Sequence, residues 1–242
     1  MELIHSLNYT VRDCDVDRFG RLKPSAALFF AQDAAGEHCK LLALDYDTLA
    51  ARRLFWAVIR TRLQVTRMPA SGEKITVETW PMPTTRVAYP RSTVAYDAEG
   101  RELFRAISLW VLMDLDSRNM ILPGKSGVEV TGLLRGSELA TPGNLVLHPL
   151  SNSRSRQVCF TDLDRNGHMN NCRYLDWICD LLPGEFHRAH PMRELTLCYM
   201  SEAREGDALV LQWDAQAEDT LRFDGIKADT EGGRVFSAQI QF

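Results

Sequence analysis

The sequence predicts an α+β protein in which one structural plan occurs twice, each time as a long helix wrapped by an antiparallel sheet. Three observations indicate this. The chain has 242 residues, enough for one large domain or two small ones. Two of its segments recur in the same order. In each copy, one stretch with helical spacing of apolar residues precedes several apolar or alternating stretches of strand length.

The internal repeat is visible when residues 14–35 are aligned with residues 161–182, at an offset of 147 positions. Identical residues pair Asp15 with Asp162, Asp17 with Asp164, Arg18 with Arg165, Gly20 with Gly167, Leu28 with Leu175 and Asp33 with Asp180. A second match joins residues 68–77 to residues 202–211 at an offset of 134. The second copy is therefore about thirteen residues shorter between its helix and its next strand.

Each copy contains one predicted helix and four predicted strands. The apolar spacing predicts the helices at residues 25–44 and 171–182. The strands are predicted at 55–68, 73–82, 87–97 and 101–114 in the first copy, and at 193–200, 207–215, 220–229 and 234–242 in the second. We expect an N-terminal domain at 1–128, a linker rich in Gly, Ser and Pro at 129–153, and a C-terminal domain at 154–242.

Composition excludes several classes of protein. A net charge of −4 argues against non-specific nucleic-acid binding. The chain has no apolar run of membrane-spanning length, and its first residues lack the pattern of a secretory signal, so we expect a cytoplasmic protein that does not enter a membrane. Six cysteines without a CxxC pair favour reduced, buried thiols. No HExxH, GxGxxG or P-loop pattern is present, so neither a metal nor a nucleotide cofactor is expected.

The two copies differ where chemistry is possible. Phe19 aligns with Asn166, Arg21 with His168, and Met68 with Glu202. An amide, an imidazole and a carboxylate thus occur in the second copy alone, which favours an active site there. The competing interpretation is that these polar residues cap the second helix, with Asn170 or Asn171 as the N-cap.

The spacing of these residues suggests a common direction. Asp164, Asn166 and His168 are two apart, so an extended segment would project all three side chains to one side. The helix predicted directly after them would aim its free N–H groups at the same place, where they could stabilise an oxyanion.

Two stretches of the second copy resemble a known family. DLDRNGHMNNCRYLDWICD, from Asp162, resembles the motif of the acyl carrier protein thioesterases of fatty acid synthesis, and ELTLCYMSEAREGD, from Glu194, resembles that family's second motif. The resemblance covers essentially the whole chain. It implies a tandem (double) hot-dog fold, a thioester hydrolase, acyl carrier protein as partner, and a catalytic set of Asp164, Asn166, His168 and Glu202.

One departure from the family bears on mechanism. Plant members usually have a cysteine after the acidic residue, and this chain has Ala203 instead. Cys172, at the helix start where a thiol's pKa would be lowered, is the remaining candidate thiol, and the favoured alternative is that it is a small residue filling space in the core. Water attack assisted by Glu202 or Asp164, with His168 exchanging the proton and Asn166 holding the water or the carbonyl, is the favoured route. Direct attack by Asp164 to give an anhydride is the second route.

Substrate contacts are predicted in the first copy. Leu28, Phe29 and Phe30 are candidates for the floor under the acyl chain. Several arginines could dock an acidic carrier protein or lie on a solvated strand face: Arg52, Arg53, Arg60, Arg62, Arg67, Arg86 and Arg91. Alternatives are an acyl-CoA thioesterase of the same fold and a non-catalytic acyl-binding module. Because two hot dogs in one chain already form a pair, a monomer or a homodimer is expected.

Overall fold

The computed structural model describes residues 3–146, 148–229 and 233–242. Its chain divides into two compact units, which we call unit 1 (Met1–Pro142) and unit 2 (Gly143–Phe242).

Unit 1 is an antiparallel sheet with one long helix. Its elements are β1 (His5–Thr10), α1 (Pro24–Leu41), α2 (Tyr46–Ala51), β2 (Leu54–Val65), β3 (Lys74–Pro81), β4 (Tyr89–Tyr96), β5 (Glu102–Asp114), β6 (Met120–Ile121) and α3 (Pro123–Ser126). The strands lie in the order β1-β3-β4-β5-β2, and β6 pairs with the outer part of β5. Pro24 at the first turn of α1 suits a position where no backbone N–H is needed.

Unit 2 repeats this plan on a smaller scale. Its elements are β7 (Asn152–Gln157), α4 (Arg173–Cys179), α5 (Gly184–Ala189), β8 (Glu194–Tyr199), β9 (Ala208–Ala217), β10 (Thr220–Lys227) and β11 (Arg234–Gln241). The strand order is β8-β11-β10-β9-β7. It is the order of unit 1 reversed, β2-β5-β4-β3-β1, with β8 corresponding to β2 and β7 to β1. The α+β architecture predicted from the sequence, with two helices each covered by an antiparallel sheet, is therefore confirmed.

The helix of unit 2 is shorter than its apolar pattern predicts. It has 7 residues, against 18 in α1. Its strand β8 has 6 residues where β2 has 12. The residues missing from the second copy are thus lost from both the helix and the strand that follows it. Four residues after α4, the chain starts the separate short helix α5, which the sequence pattern did not indicate.

Large apolar side chains between helix and sheet form the core of each unit. In unit 1, Val77 and Phe104 are fully buried. In unit 2, Trp177 and Phe223 are fully buried in the same way. Residues 129–151 contain no helix or strand in their described part, and β7 begins at Asn152, inside the predicted linker.

Candidate functional site

The segment from Asp164 to His168 is a tight turn. The Asp164 backbone N–H donates to the His168 carbonyl at 2.7 Å, and Gly167 takes a left-handed φ of +74°. Asp164 Oδ1 accepts the backbone N–H groups of Asn166 (2.8 Å) and His168 (3.3 Å). The extended conformation predicted from the spacing is therefore wrong, because the Asp164 carboxylate closes the turn on its own backbone.

This turn is held against the loop that follows β8. Met169 N–H donates to the Ala203 carbonyl at 2.8 Å, and His168 forms an antiparallel bridge with Arg204. Neighbouring residues of two paired segments lie close enough for their side chains to meet. The pairing thus brings together two side chains that are 34 positions apart in the chain, those of His168 and Glu202.

His168 and Glu202 form the central contact of the site. His168 Nε2 lies 3.0 Å from Glu202 Oε2. The imidazole is 12% exposed and the carboxylate is 38% exposed, so the pair is covered on the histidine side and open to solvent on the glutamate side. The Arg204 guanidinium, also at the edge of this pair, lies 3.7 Å from the same carboxylate oxygen. A carboxylate and an imidazole in contact can transfer and hold a proton.

Asn166 is exposed at the tip of the turn. Its side-chain Nδ2 lies 3.4 Å from Asp164 Oδ2. The amide is thereby oriented by a carboxylate that already accepts two backbone N–H groups. All four residues predicted from the family motif, Asp164, Asn166, His168 and Glu202, lie in this turn or in the loop paired with it.

The start of α4 differs from the expectation. The helix begins at Arg173, five residues after His168, so it does not follow the turn directly. Asn170 Oδ1 accepts the Cys172 N–H at 2.9 Å, and the Asn171 carbonyl accepts the Tyr199 hydroxyl at 3.1 Å. The N-cap of α4 is Cys172, without a side-chain cap, so the competing interpretation of Asn170 or Asn171 as the N-cap is wrong, although Asn170 stabilises the bend before the helix. A helix of only two helical turns has a small macrodipole, so it contributes little positive potential at the segment 164–168.

Cys172 is buried, and this burial raises the pKa of its thiol. The expectation of a lowered pKa at the helix start is wrong, because desolvation of the thiolate is the largest effect on this group. Of the six free cysteines, Cys198 is also buried. Cys14 and Cys159 are exposed, contrary to the prediction of buried thiols.

Two residues that the sequence pattern did not single out contact this site. Tyr174 is buried below the turn, packs against Phe236 at 5.1 Å between ring centroids, and has a pKa raised mainly by burial. Arg204 borders Glu202. The comparison of the two copies could have found Arg204, because it aligns with Ala70. Tyr174 gave no such signal, since an aromatic residue on a helix is commonly a core residue.

Unit 1 has the same turn with other side chains. Asp17 Oδ1 accepts the N–H groups of Phe19 (2.8 Å) and Arg21 (3.1 Å), and Gly20 has a φ of +76°. The Arg21 guanidinium lies 3.2 Å from the Asp17 carboxylate. Met68 occupies the position of Glu202. An ion pair within the turn thus stands where unit 2 has an imidazole facing a carboxylate.

The three residues proposed to lie under the acyl chain are on α1. Leu28 and Phe30 are buried, Phe29 is half-buried, and the Phe30 ring stacks on Tyr9 at 4.6 Å between centroids. Several of the arginines considered for carrier docking have partners inside unit 1. Arg53 pairs with Asp116, Arg67 pairs with Glu73, and Arg91 is buried. Because Arg91 is buried, a docking role for it is the wrong interpretation, whereas Arg53 and Arg67 remain about half exposed and stay candidates.

Among the described residues, no cluster of three or more His, Cys, Asp or Glu side chains could hold a metal ion. Within the same residues, none of the helices is both long and apolar enough to cross a membrane.

The paired helix-and-sheet units and the polar turn on one of them define a tandem hot-dog protein. Residues 2–122 match the model of the acyl-ACP thioesterase N-terminal domain, and residues 149–242 match the model of the acyl-ACP thioesterase C-terminal domain. The chain therefore belongs to the acyl-ACP thioesterase family.

Individual relatives agree with this assignment. The chain is 26% identical over 222 residues to a chloroplastic palmitoyl-acyl carrier protein thioesterase of Gossypium hirsutum, covering 86% of this chain and 54% of that protein. It spans about half the length of the curated relatives it matches. An acyl-ACP thioesterase from Bacteroides thetaiotaomicron superposes with a TM-score of 0.90 at 25% identity, covering 99% of this chain and 97% of that one. The 12:0-ACP thioesterase of Umbellularia californica has the same fold, with a TM-score of 0.84 at 21% identity over 100% of this chain and 97% of that one.

Proposed function

We propose that this protein hydrolyses the thioester of acyl-[acyl-carrier-protein] and releases a free fatty acid in fatty acid biosynthesis. The observation that carries the proposal is the 3.0 Å contact between His168 and Glu202 on a turn that unit 1 also builds but leaves without either residue. Membership of the acyl-ACP thioesterase family supports the choice of reaction. Six free cysteines suit the reducing cytoplasm as its location.

In the proposed mechanism, the Glu202 carboxylate takes a proton from a water molecule. The water oxygen attacks the thioester carbonyl carbon, and the carbonyl oxygen becomes an oxyanion. The exposed Asn166 amide is placed to donate a hydrogen bond to that oxygen, a kind of contact worth about 2 to 4 kcal/mol of barrier. Collapse of the intermediate breaks the C–S bond, and His168 delivers the proton from Glu202 to the leaving thiolate.

Asp164 acts in this proposal as a positioning residue. Its Oδ1 accepts two backbone N–H groups, and its Oδ2 faces the Asn166 amide. Both carboxylate oxygens of Asp164 are thus engaged by donors of its own turn. Glu202, which touches His168 and whose side chain is 38% exposed, is the better candidate for the base. Direct attack by Asp164 remains the second route and is tested below.

We assign the acyl chain to unit 1 and the chemistry to unit 2. The buried apolar side chains of α1, including Leu28 and Phe30, support the first assignment, with Phe29 as the third candidate contact. The proposed domains are residues 1–128 and 154–242, joined by 129–153. The relatives named above carry palmitoyl and 12:0 in their names, so the family accommodates chains of different length.

The experiment is a thiol-release assay with matched acyl chains on acyl carrier protein and on coenzyme A. We expect turnover with the carrier-bound substrates. A large preference for the coenzyme A substrates would instead support the alternative function, an acyl-CoA thioesterase of the same fold. Tight binding of acyl chains without thiol release above background would instead indicate a non-catalytic acyl-binding module.

A further inference from the structure

The layer between α1 and the sheet of unit 1 changes character along the strands. At one end, the side chains that face α1 are apolar and almost fully buried, as for Leu63, Ile75, Val77, Ala95 and Phe104. Further along the strands, the same face carries a set of polar residues that we call the polar band: His5, Thr61, Thr79, Arg91, Thr93 and Ser108. Beyond the band, the face is apolar again, at Tyr89 and Leu112. A core that changes from apolar to polar in this way is unusual, because buried polar groups cost free energy unless they are paired.

Strand register places the polar band on one face. Thr79 lies directly opposite both His5 and Thr93. Arg91, two residues before Thr93, lies opposite Ser108, which in turn lies opposite Thr61. Residues directly opposite one another, or two apart on one strand, point to the same side of a sheet.

This face is the one covered by α1. Arg91 Nη1 donates to His38 Nδ1 of α1 at 3.1 Å, and the His38 ring stacks on His5 at 5.6 Å between centroids. At the apolar end, Phe30 of the same helix stacks on Tyr9. The polar band therefore lies under the C-terminal part of α1, and the apolar end lies under its N-terminal part.

Arg91 is a buried cation whose partners are neutral. It is 8% exposed, and within the described residues its guanidinium contacts His38 Nδ1, Thr79 Oγ1 at 3.3 Å and Cys39 Sγ at 3.9 Å. A guanidinium is always a donor, so the Nδ1 atom of His38 accepts and that ring nitrogen carries no proton. Burial lowers the pKa of Arg91, which expresses the cost of desolvating a charge without an anion beside it.

Two further buried groups near this band lack a hydrogen-bond partner. They are His5 Nε2 and the indole Nε1 of Trp110. Trp110 is two residues beyond Ser108 on β5, so its side chain faces the same way as the band. An indole N–H can only donate. Trp110 lies opposite Tyr89, two residues before Arg91 on β4, so the unpaired donor and the uncompensated cation are neighbours on this face. Such a pair favours a hydrogen-bond acceptor as the missing partner.

We propose that the polar band binds an oxygen-bearing group at the far end of the acyl chain, so that the substrates are acyl thioesters with a distal hydroxyl or carboxylate. This inference rests on the proposed function, since it takes the acyl chain to lie along α1. The methylene groups contact the apolar end, and the distal oxygen accepts hydrogen bonds from Arg91 and from the Trp110 indole. A carboxylate would also neutralise the guanidinium.

A site that hydrogen-bonds a substrate oxygen discriminates against the analogue without it, because the site's own buried groups are then left unpaired. The test uses acyl carrier protein loaded with chains of equal length that end in a methyl, a hydroxyl or a carboxyl group, over a series of lengths. At the best length, we expect kcat/KM for one oxygen-terminated substrate to exceed that of the methyl-terminated one by about tenfold or more. Comparing kcat/KM for the hydroxyl-terminated and carboxyl-terminated substrates identifies which of the two groups the polar band binds.

Variants connect the preference to the band. Arg91→Met and Trp110→Phe are both expected to reduce the ratio of oxygen-terminated to methyl-terminated kcat/KM towards one. Trp110→Phe keeps an aromatic ring in place, so it tests the donor even if Arg91→Met fails to fold. Arg101→Met, which removes a guanidinium that is exposed in a turn, is the matched control and should leave the ratio unchanged.

The inference is overturned if methyl-terminated chains are hydrolysed as well as the others at every length, or if the ratio does not move in Trp110→Phe. Absence of thiol release from every substrate would instead contradict the proposed function. In that case, the thermal shift produced by small-molecule thioesters of the same chains, which have no free carboxylate at the thioester end, decides the inference separately. Stabilisation by the hydroxyl- or carboxyl-terminated thioesters, lost in Trp110→Phe, would support it, and equal stabilisation by the methyl-terminated thioesters would refute it.

Discussion

The turns at residues 15–23 and 162–170 have the same backbone hydrogen bonds and different side chains. In unit 1, Asp17 N–H donates to Arg21 at 2.7 Å; in unit 2, Asp164 N–H donates to His168 at 2.7 Å. Leu22 N–H donates at 2.8 Å to Pro69 in the loop between β2 and β3, and Met169 N–H donates at 2.8 Å to Ala203 in the loop between β8 and β9. The comparison shows that the turn is a scaffold, which exists with or without a proton-transfer pair.

The two units also differ in what they place near their helices. Unit 1 has the longer helix, over an apolar layer that contains the polar band. Unit 2 has a helix of 7 residues, with His168 and Glu202 in contact beside the preceding turn. This difference is the basis of the proposal that unit 1 buries the acyl chain and unit 2 carries the chemistry. The predictions that follow test this comparison of the two units.

The largest effect is expected from the pair that unit 1 lacks. Glu202→Gln and His168→Ala should each lower kcat by about a hundredfold or more, the order of a lost general base or acid. Thermal unfolding should change little, because Glu202 is partly exposed and the turn is held by its backbone. Glu205→Gln, in the same exposed loop, is the matched control. Full activity in either pair variant would remove that residue from the mechanism.

The next prediction separates the structural role of the turn from its catalytic role. One aspartate is changed in each turn. Asp17→Ala and Asp164→Ala both remove the acceptor of two backbone N–H groups, so each should lower the free energy of unfolding by about 1 to 2 kcal/mol. Turnover should fall about tenfold or more in Asp164→Ala alone, since His168 and Asn166 lose their orientation.

Chemical denaturation and the thiol-release assay measure the two effects of these aspartate changes. Asp164→Asn adds a control for charge. If this variant folds normally and is as inactive as Glu202→Gln, the direct attack by Asp164 replaces the water mechanism.

A smaller and symmetric effect is expected at the glycines of the two turns. A Cβ added to Gly20 or Gly167 would meet nothing within 4 Å, so the cost of Gly→Ala is the strain of the left-handed backbone, about 1 kcal/mol in each case. Equal shifts of the denaturation midpoint would show that the turns are equivalent as scaffolds. A shift in one variant alone would contradict that equivalence.

The smallest effect on activity is expected at Cys172. Cys172→Ala should retain most of the activity, because burial raises the pKa of this thiol and keeps it protonated at neutral pH. Iodoacetamide at pH 7.5 should modify the exposed Cys14 and Cys159 and leave Cys172 unlabelled, as peptide mass spectrometry can show.

The raised pKa of Cys172 also changes how the stability of the protein depends on pH. An unfolded thiol ionises near its ordinary pKa of 9.0, whereas the folded protein holds Cys172 protonated above that value, so unfolding becomes more favourable as pH rises past 9. In Cys172→Ala this contribution to the slope should disappear. An inactive but folded Cys172→Ala protein would revive a thiol mechanism.

The elements that the sequence predicted well are those with a long regular pattern. The helix predicted at 25–44 is α1 (Pro24–Leu41), and the predicted strands of both copies lie within a few residues of the strands in the structure. The short helices α2 and α5 have 6 residues each and were not predicted, because so few residues give no clear period. The candidate site residues came from the comparison of the two copies and from the family motif.

The sequence by itself determined the duplication, the element types and the difference between the copies, because repeat, period and residue identity are all local properties of the chain. The tertiary structure decided which atoms meet. It closed the Asp164 turn on its own backbone, paired Met169 with the loop after β8 and so set His168 against Glu202, and buried Cys172 and Arg91. These outcomes depend on register and burial between distant segments, which no local pattern contains.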